Sequence, residues 1–410
     1  MALTCRFCGE PLTHTFVDLG VSPVSNAFVS ADRLDEMEPF FPLHARVCGK
    51  CLLVQLPAFE APAAIFNEEY AYFSSFSDSW LAHCRQYARE MVPRLSLSPQ
   101  SLVVELASND GYLLQFFREQ GVPVLGVEPA KNVAEAAREK GVETVCEFFG
   151  SALAGKLVSR GVRANLLVGN NVLAHVPDVN DFVEGMKILL AEGGVITMEF
   201  PHLLRLMEEN QFDTIYHEHF SYFSFLAASQ LFAAHGLFVF DVDELPTHGG
   251  SLRIHAAHVG ECRKATARVA ALAEKERAAG LHELSAYRDF APKVHAVKRK
   301  LLSFLIAARE EGKTVAGYGA PAKGNTLLNY CGVRADLLDY TVDKSPRKQG
   351  TFLPGTRIPV FGPEKIAKTR PDYVLILPWN LAGEITEQMA HIREWGGRFV
   401  VPIPEIRVLP

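Results

Sequence analysis

From residue 101 onward, apolar runs of strand length alternate with apolar residues at helical spacing. The strand-length runs fall at 102–106, 124–128, 165–169 and 194–200. Between the last two, Val179, Phe182, Val183, Met186, Leu189 and Leu190 mark one helix face, with Gly193-Gly194 as its expected stop. Earlier, Trp80, Leu81, Cys84, Tyr87, Ala88 and Met91 predict a helix over 78–92, capped at Ser77 or Asp78. Such alternation predicts an α/β fold, with a parallel sheet covered by helices on both faces. A Gly- and His-rich strand region spans 241–260. Phe290, Val294, Val297, Leu301, Leu305 and Ala308 then form one stripe of a long helix. A second strand–helix series starts at Thr314–Gly319 and continues through 338–343 and 373–377, which predicts a second Rossmann-like unit. The first 65 residues have weak periodicity and read as a small strandless module. The expected organisation is therefore 1–65, 66–240 and 241–410.

Composition narrows the class. A chain of 410 residues has room for two or three domains with real cores. Its formal charge of −6 argues against a nucleic-acid partner, though a local basic pocket for a small anion remains compatible. No apolar run approaches the roughly 18 residues of a membrane helix, and Met1–Arg6 lacks a signal-peptide core. A cytoplasmic location is expected, with no membrane and no obligate protein partner. Cysteines there are thiols or metal ligands.

Cys5-x2-Cys8 and Cys48-x2-Cys51 are two pairs of a type that binds structural zinc. Each pair puts two thiolates on one tight turn, and together they complete a closed tetrahedron. A redox pair would instead need one such turn beside a βαβ unit. His14 and His44 are weaker alternative ligands. Cys84, Cys146, Cys262 and Cys331 read as core thiols.

The first strand of the long alternating region runs through Glu105 into Ala107-Ser108-Asn109-Asp110-Gly111-Tyr112 at a helix start. A doubly wound sheet binds nucleotides at this place. Glu128 ends the next strand, where an acid can accept ribose hydroxyls. The loop lacks a full GxGxxG and carries no GK[ST], so a ribose without a pyrophosphate fits better, as in S-adenosylmethionine; the plain alternative is an ordinary βα turn. The next strand ends at Asn170-Asn171, which puts His175 above the same crevice.

Tyr216-His217-Glu218-His219 groups four polar side chains. On a helix, residues 217 and 219 would point about 200° apart; in an extended segment they share a face, with Tyr216 and Glu218 on the other. Acid–base chemistry, a second metal and a structural network are all compatible with it. An aromatic cluster at Tyr70-Ala71-Tyr72-Phe73 is either core or a cover for the crevice.

The four-cysteine module, Glu105–Gly111, Tyr216–His219 and Gly317-Tyr-Gly-Ala-Pro-Ala-Lys-Gly-Asn325 occur in this order. Together they resemble the S-adenosylmethionine-dependent C-methyltransferases of deoxysugar biosynthesis, of the tetronitrose C-3′ type. The resemblance covers essentially the whole chain. It implies a zinc module, a class I methyltransferase domain and a Rossmann-like C-terminal domain, with a nucleotide-sugar substrate between the last two. It places active-site roles on Tyr216, Glu218, His219 and His175, and on Tyr72 or Tyr70. Under this reading His219 is the base at the carbon beside a ketone, and Tyr216 and His175 are donors to the enolate oxygen. Asn109, Asn170 and Asn171 join the cofactor loop. His248 in Thr247–Arg253, Lys323, Asn325, Lys344 and Arg347 are expected at the substrate, with Gly317-x-Gly319 offering amides to a diphosphate. Two rival readings are the same architecture with a heteroatom or non-sugar acceptor, and a zinc-containing sugar-nucleotide binder without turnover.

Overall fold

The computed structural model describes residues 3–59 and 73–409. The amino-terminal region is not strandless. It forms a sheet from β1 (His14–Ser22), β2 (Phe41–Val47) and β3 (Val54–Gln55), completed by β9 (Ser221–Tyr222) from far along the chain. Irregular register in β1 breaks simple alternation, which hid the strand in the sequence. The module also has no core of its own. Its sheet packs against the helix Phe290–Glu310, with Phe16 stacked 4.6 Å from Phe290. Its cysteines pack instead against the core of the seven-stranded sheet. Each fully buried apolar side chain here contributes about 1.5–3 kcal/mol.

That large sheet contains β4 (Val103–Leu106), β5 (Val124–Val127), β6 (Thr144–Val145), β7 (Ala164–Asn170), β8 (Leu190–Pro201), β10 (Leu237–Leu245) and β11 (Ser251–His258). The order is β10-β11-β8-β7-β4-β5-β6, with β11 antiparallel to both neighbours. All four residues of β4 are buried, as expected for a central parallel strand covered on both faces. The closing hairpin carries the sheet beyond residue 240, so an expected boundary there cuts through β10. Gly193-Gly194 also differs from expectation. The helix Val179–Leu189 already ends at Leu190, and the glycines lie within β8, where the register against β7 slips.

The third sheet is β14-β13-β12-β15-β16-β17, built from β12 (Val315–Tyr318), β13 (Thr341–Val342), β14 (Val360–Phe361), β15 (Tyr373–Ile376), β16 (Arg398–Val401) and β17 (Arg407–Leu409). All pairs are parallel except the edge pair β16–β17. All six residues of the predicted stripe on Phe290–Glu310 are buried. Among the described residues, no helix is long and apolar enough to cross a membrane.

Candidate active site and metal centre

The four sulfurs of Cys5, Cys8, Cys48 and Cys51 lie within 4.8 Å of one another. Backbone amides of Lys50 and Cys51 point at the Cys48 sulfur, and the Gln55 amide donates to Cys5 at 3.1 Å. Four thiolates with amide support suit a closed tetrahedral zinc site. His44 lies elsewhere, against Thr15 and Asp18, and His14 packs on Gly49. Of the remaining cysteines, Cys84 and Cys331 are buried as expected and Cys146 is half-buried. Cys262 is exposed, because its segment is the turn after the end of β11 rather than part of a core.

At the carboxyl end of the large sheet, Ala107, Asn109 and Gly111 all have positive φ, at 54°, 47° and 75°. The chain thus takes a glycine-type path at two non-glycine positions. The Glu128 carboxylate accepts the Asn109 and Ala130 amides at 3.0 and 2.9 Å. Burial pushes Glu128 up to about 7 against those two bonds. A carboxylate has about four lone-pair sites, so hydroxyl donors can still be accepted there. Burial pushes Glu105 well up, opposed by the Tyr112 hydroxyl. Asn170 ends β7. The side-chain oxygen of Asn171 is buried without a partner, while its amide nitrogen donates to His248 Nε2 at 2.8 Å. This donor and acceptor set fits the ribose and polar ends of S-adenosylmethionine. The Asn109 side chain also accepts the Ser74 amide at 2.9 Å, which ties the 73–77 segment to the loop.

Tyr216–His219 is neither helical nor extended. The His219 amide donates to the Tyr216 carbonyl, closing a turn that brings residues 216 and 219 together. Their side chains bond at 2.8 Å, Tyr216 hydroxyl to His219 Nε2. On the other side, Nδ1 donates to the Thr214 carbonyl at 2.9 Å. A carbonyl only accepts, so the proton sits on Nδ1 and Nε2 keeps its lone pair. Burial, with His175 beside it, holds His219 well below the ordinary histidine range. The two imidazoles meet edge-on at 4.6 Å. His175 is lowered to about 4 by burial, opposed by its bond to the Glu218 carbonyl. His217 turns away, packing edge-on to Phe41 and Phe59.

The C-terminal domain closes this region. Trp379 donates to buried Asp213 at 2.7 Å, and Lys323 lies 4.5 Å over the Trp379 ring while donating to Asn380 at 2.8 Å. Burial lowers Lys323 and raises Asp213 to about 6, each opposed by the other. Lys323 also acts electrostatically on His219 and His248, which places it at the same cleft. Burial, helped by Lys323, lowers His248 to about 4.

Residues 5–66 match a zinc binding domain family, 80–242 a methyltransferase domain family, and 246–404 a C-methyltransferase C-terminal domain family. Over 405 residues the chain is 39% identical to C-methyltransferase NovU of Streptomyces niveus, spanning 99% of this chain and 96% of that protein. The chain belongs to the C-methyltransferase family. Among solved structures, a SAM-dependent methyltransferase from Anabaena variabilis aligns with 50% of this chain and 99% of its own, at 16% identity and TM-score 0.38. The magnesium protoporphyrin IX methyltransferase of Synechocystis, with bound SAM, aligns with 44% and 82% at 14% identity and TM-score 0.33.

This C-methyltransferase uses S-adenosylmethionine, and its amino-terminal domain carries the four-cysteine zinc site. Several expected substrate residues stand apart from the cleft. Asn325 is buried and donates to the Ser25 carbonyl at 2.6 Å, bracing a loop of the zinc module. The amides of Gly317, Gly319 and Ala320 all donate within their own domain, to Tyr340, Val342 and Asp343. The expected amide cradle is thereby closed, and Pro378 fills the space above Gly319. Lys344 is exposed, with no contact tying it to the cleft among the described residues. Arg347 stacks 4.5 Å over Phe73, beside the segment tied to Asn109. Tyr70 and Tyr72 lie outside the described residues.

Sequence reasoning missed Asn26, Asp213 and Trp379. It also missed Glu199, which burial pushes up but which His83, Arg253 and Thr247 together hold at about 2. Asp213 sits three residues before Tyr216, so proximity was a usable signal. Nothing local marks Asn26 or Trp379.

Proposed function

We propose that this enzyme methylates the carbon beside the ketone of a nucleotide-linked 4-keto-6-deoxy sugar, through an enolate formed by His219. The supporting observation is the Tyr216–His219 pair, whose Nδ1 is fixed on the Thr214 carbonyl so that Nε2 faces outward with its lone pair. As the sugar enters, the Tyr216 hydroxyl turns from Nε2 to the ketone oxygen. His219 Nε2 then removes the proton from the adjacent carbon, and Tyr216 donates to the enolate oxygen, with His175 packed edge-on against His219 to hold the base in place. S-adenosylmethionine supplies an electrophilic methyl on a sulfonium. A carbon–carbon bond forms as the sulfur–methyl bond breaks, the electron pair returning to sulfur, and the proton on His219 leaves to solvent.

Neutral His219 has a free lone pair but low basicity. The developing enolate and an ionised Glu218 offset this by favouring imidazolium at the moment of transfer. Lys323, beside His219 and His248, is placed to meet an anionic part of the substrate. Glu105, Glu128, Asn170 and Asn171 hold the cofactor.

The test is incubation with S-adenosylmethionine and a panel of nucleotide-linked 4-keto-6-deoxy sugars in deuterated water. Mass spectrometry follows methyl gain, and NMR follows exchange of hydrogens beside the ketone. Methyl gain with exchange at the same carbon is expected. Cofactor binding with neither signal on any sugar would overturn this acceptor assignment.

A further inference from the structure

The cysteine-bearing module reaches the catalytic turn directly. The Asn26 side-chain amide donates to both oxygens of Glu218, at 2.9 and 2.8 Å. The Asn26 backbone amide also favours the charged form of that carboxylate. Glu218 is buried, 3% exposed, whereas Asn26 is exposed. The loop bearing Asn26 is anchored from both sides. Asn325 holds the Ser25 carbonyl, Val29 bridges Phe352, and Glu38 accepts Gly355 and Arg357 of the C-terminal domain. The module braces the rest of the turn as well. Strand β9 pairs with β3 just after His219, and Leu56 donates to the Phe220 carbonyl. Arg6, between the first two cysteines, donates to the Pro177 carbonyl in the loop that carries His175, at 2.7 Å.

We propose that Asn26 is a positioning residue that fixes the carboxylate of Glu218, on the turn that joins Tyr216 to His219, so that the zinc module supplies part of the active site. One side-chain amide bridging both oxygens of a buried carboxylate favours its charged form and fixes its orientation. Burial alone drives Glu218 the other way, and with Asn26 in place it still stands raised to about 7. Its surroundings are otherwise uncharged among the described residues. Tyr216, His217 and His219 flank it on its own turn. From the sheet edge, His175 bonds its carbonyl rather than its carboxylate. Lys323, from the domain interface, acts on His219, and it and Asp213 act on each other. Asn26 is thus the group on which the carboxylate depends. The catalytic consequence rests on the function proposed above; the control of Glu218 does not.

The experiment uses the full chain and three variants, Asn26→Asp, Asn26→Ala and Glu218→Gln. Asn26→Asp is nearly isosteric at an exposed position, so folding is retained; zinc content and melting temperature check it. Infrared difference spectra against Glu218→Gln follow the Glu218 carboxyl stretch through a pH titration without substrate. Both Asn26 variants are expected to move that titration upward by about one pH unit or more, furthest for Asn26→Asp, whose own carboxyl opposes a second charge. With a methylated substrate, the acid limb of kcat should move by the same interval. The loss should be about fivefold or more at pH 7 and should recover near pH 9, with KM for S-adenosylmethionine unchanged. An unmoved carboxyl titration in both variants, or an equal loss of kcat at every pH, would overturn the proposal. If no keto sugar is methylated, the function assignment fails while the infrared titration still decides the role of Asn26.

Discussion

The two doubly wound domains build the same device at the ends of their first two strands and complete it differently. In the methyltransferase domain, Glu128 at the end of β5 accepts an amide from the loop after β4. In the C-terminal domain, Asp343 after β13 accepts the Ala320 amide from the loop after β12, at 2.7 Å. The Asp343 carboxylate is then completed by the Ser345 amide and by Lys348 at 3.6 Å. Among the described residues no such cation is bonded to Glu128, and burial leaves it raised to about 7. The first crevice keeps acceptor capacity for a ligand. The second is satisfied from within and capped by Pro378, and it contributes outward through Lys323 and Trp379 instead. One topology therefore keeps an open acceptor in one copy, where we propose that the cofactor binds, and forms a wall of the cleft in the other. A strand-end acid and a small-residue loop do not tell the two apart.

The sharpest break between the copies should come from His219→Gln. Turnover should fall about 10³-fold, while calorimetry finds the affinity for S-adenosylmethionine unchanged. A matching loss of cofactor binding would mean that the turn and the first crevice are not separate. Next in size, Glu128→Gln should weaken S-adenosylmethionine binding about 30-fold, because a charged acceptor is lost where hydroxyls must be held. Binding within threefold of wild type would place the cofactor elsewhere.

The uncompensated charge also gives a pH signature. Glu128 in the free protein is raised to about 7, above its ordinary range, so the protonated form dominates below that and the ionised acceptor above it. Cofactor affinity should therefore rise about tenfold between pH 6 and 8, and the Glu128→Gln protein should lose that slope. The same raised value means that ionising Glu128 destabilises the ligand-free fold, a cost that grows as pH rises from the ordinary carboxylate range to about 7 and levels off above it. Smallest of all, Asp343→Asn should lower stability by about 1 kcal/mol in denaturant titrations and leave cofactor affinity untouched. A cofactor defect in that variant would remove the distinction between the copies.

Much of this was legible in local spacing. Two Cys-x2-Cys turns specify thiolate pairs whatever surrounds them, and the four sulfurs do meet. Largely apolar strands such as β4 and β12 require cover on both faces, so the parallel sheets were legible too. Other features depended on contacts between distant residues. The module sheet was hidden because a register shift and a strand from residue 221 complete it. Lys323 could be placed at a helix start, but its position beside His219 depends on how two domains dock. Asn325 has the right chemistry for a ligand and binds Ser25 instead, 300 positions away in the chain.

The sequence by itself determined the metal ligands, the alternating sheets and the order of the chemical groups, because each follows from side-chain type and short-range periodicity. The tertiary structure alone decided which groups work together. It folded Tyr216 onto His219 through a turn, brought Asn26 to Glu218 across 192 positions, and filled one of two similar crevices with Pro378. Charge state followed the same division. Residue type sets the ordinary pKa, whereas burial and the neighbours supplied by packing hold Glu128 near 7 and His175 near 4.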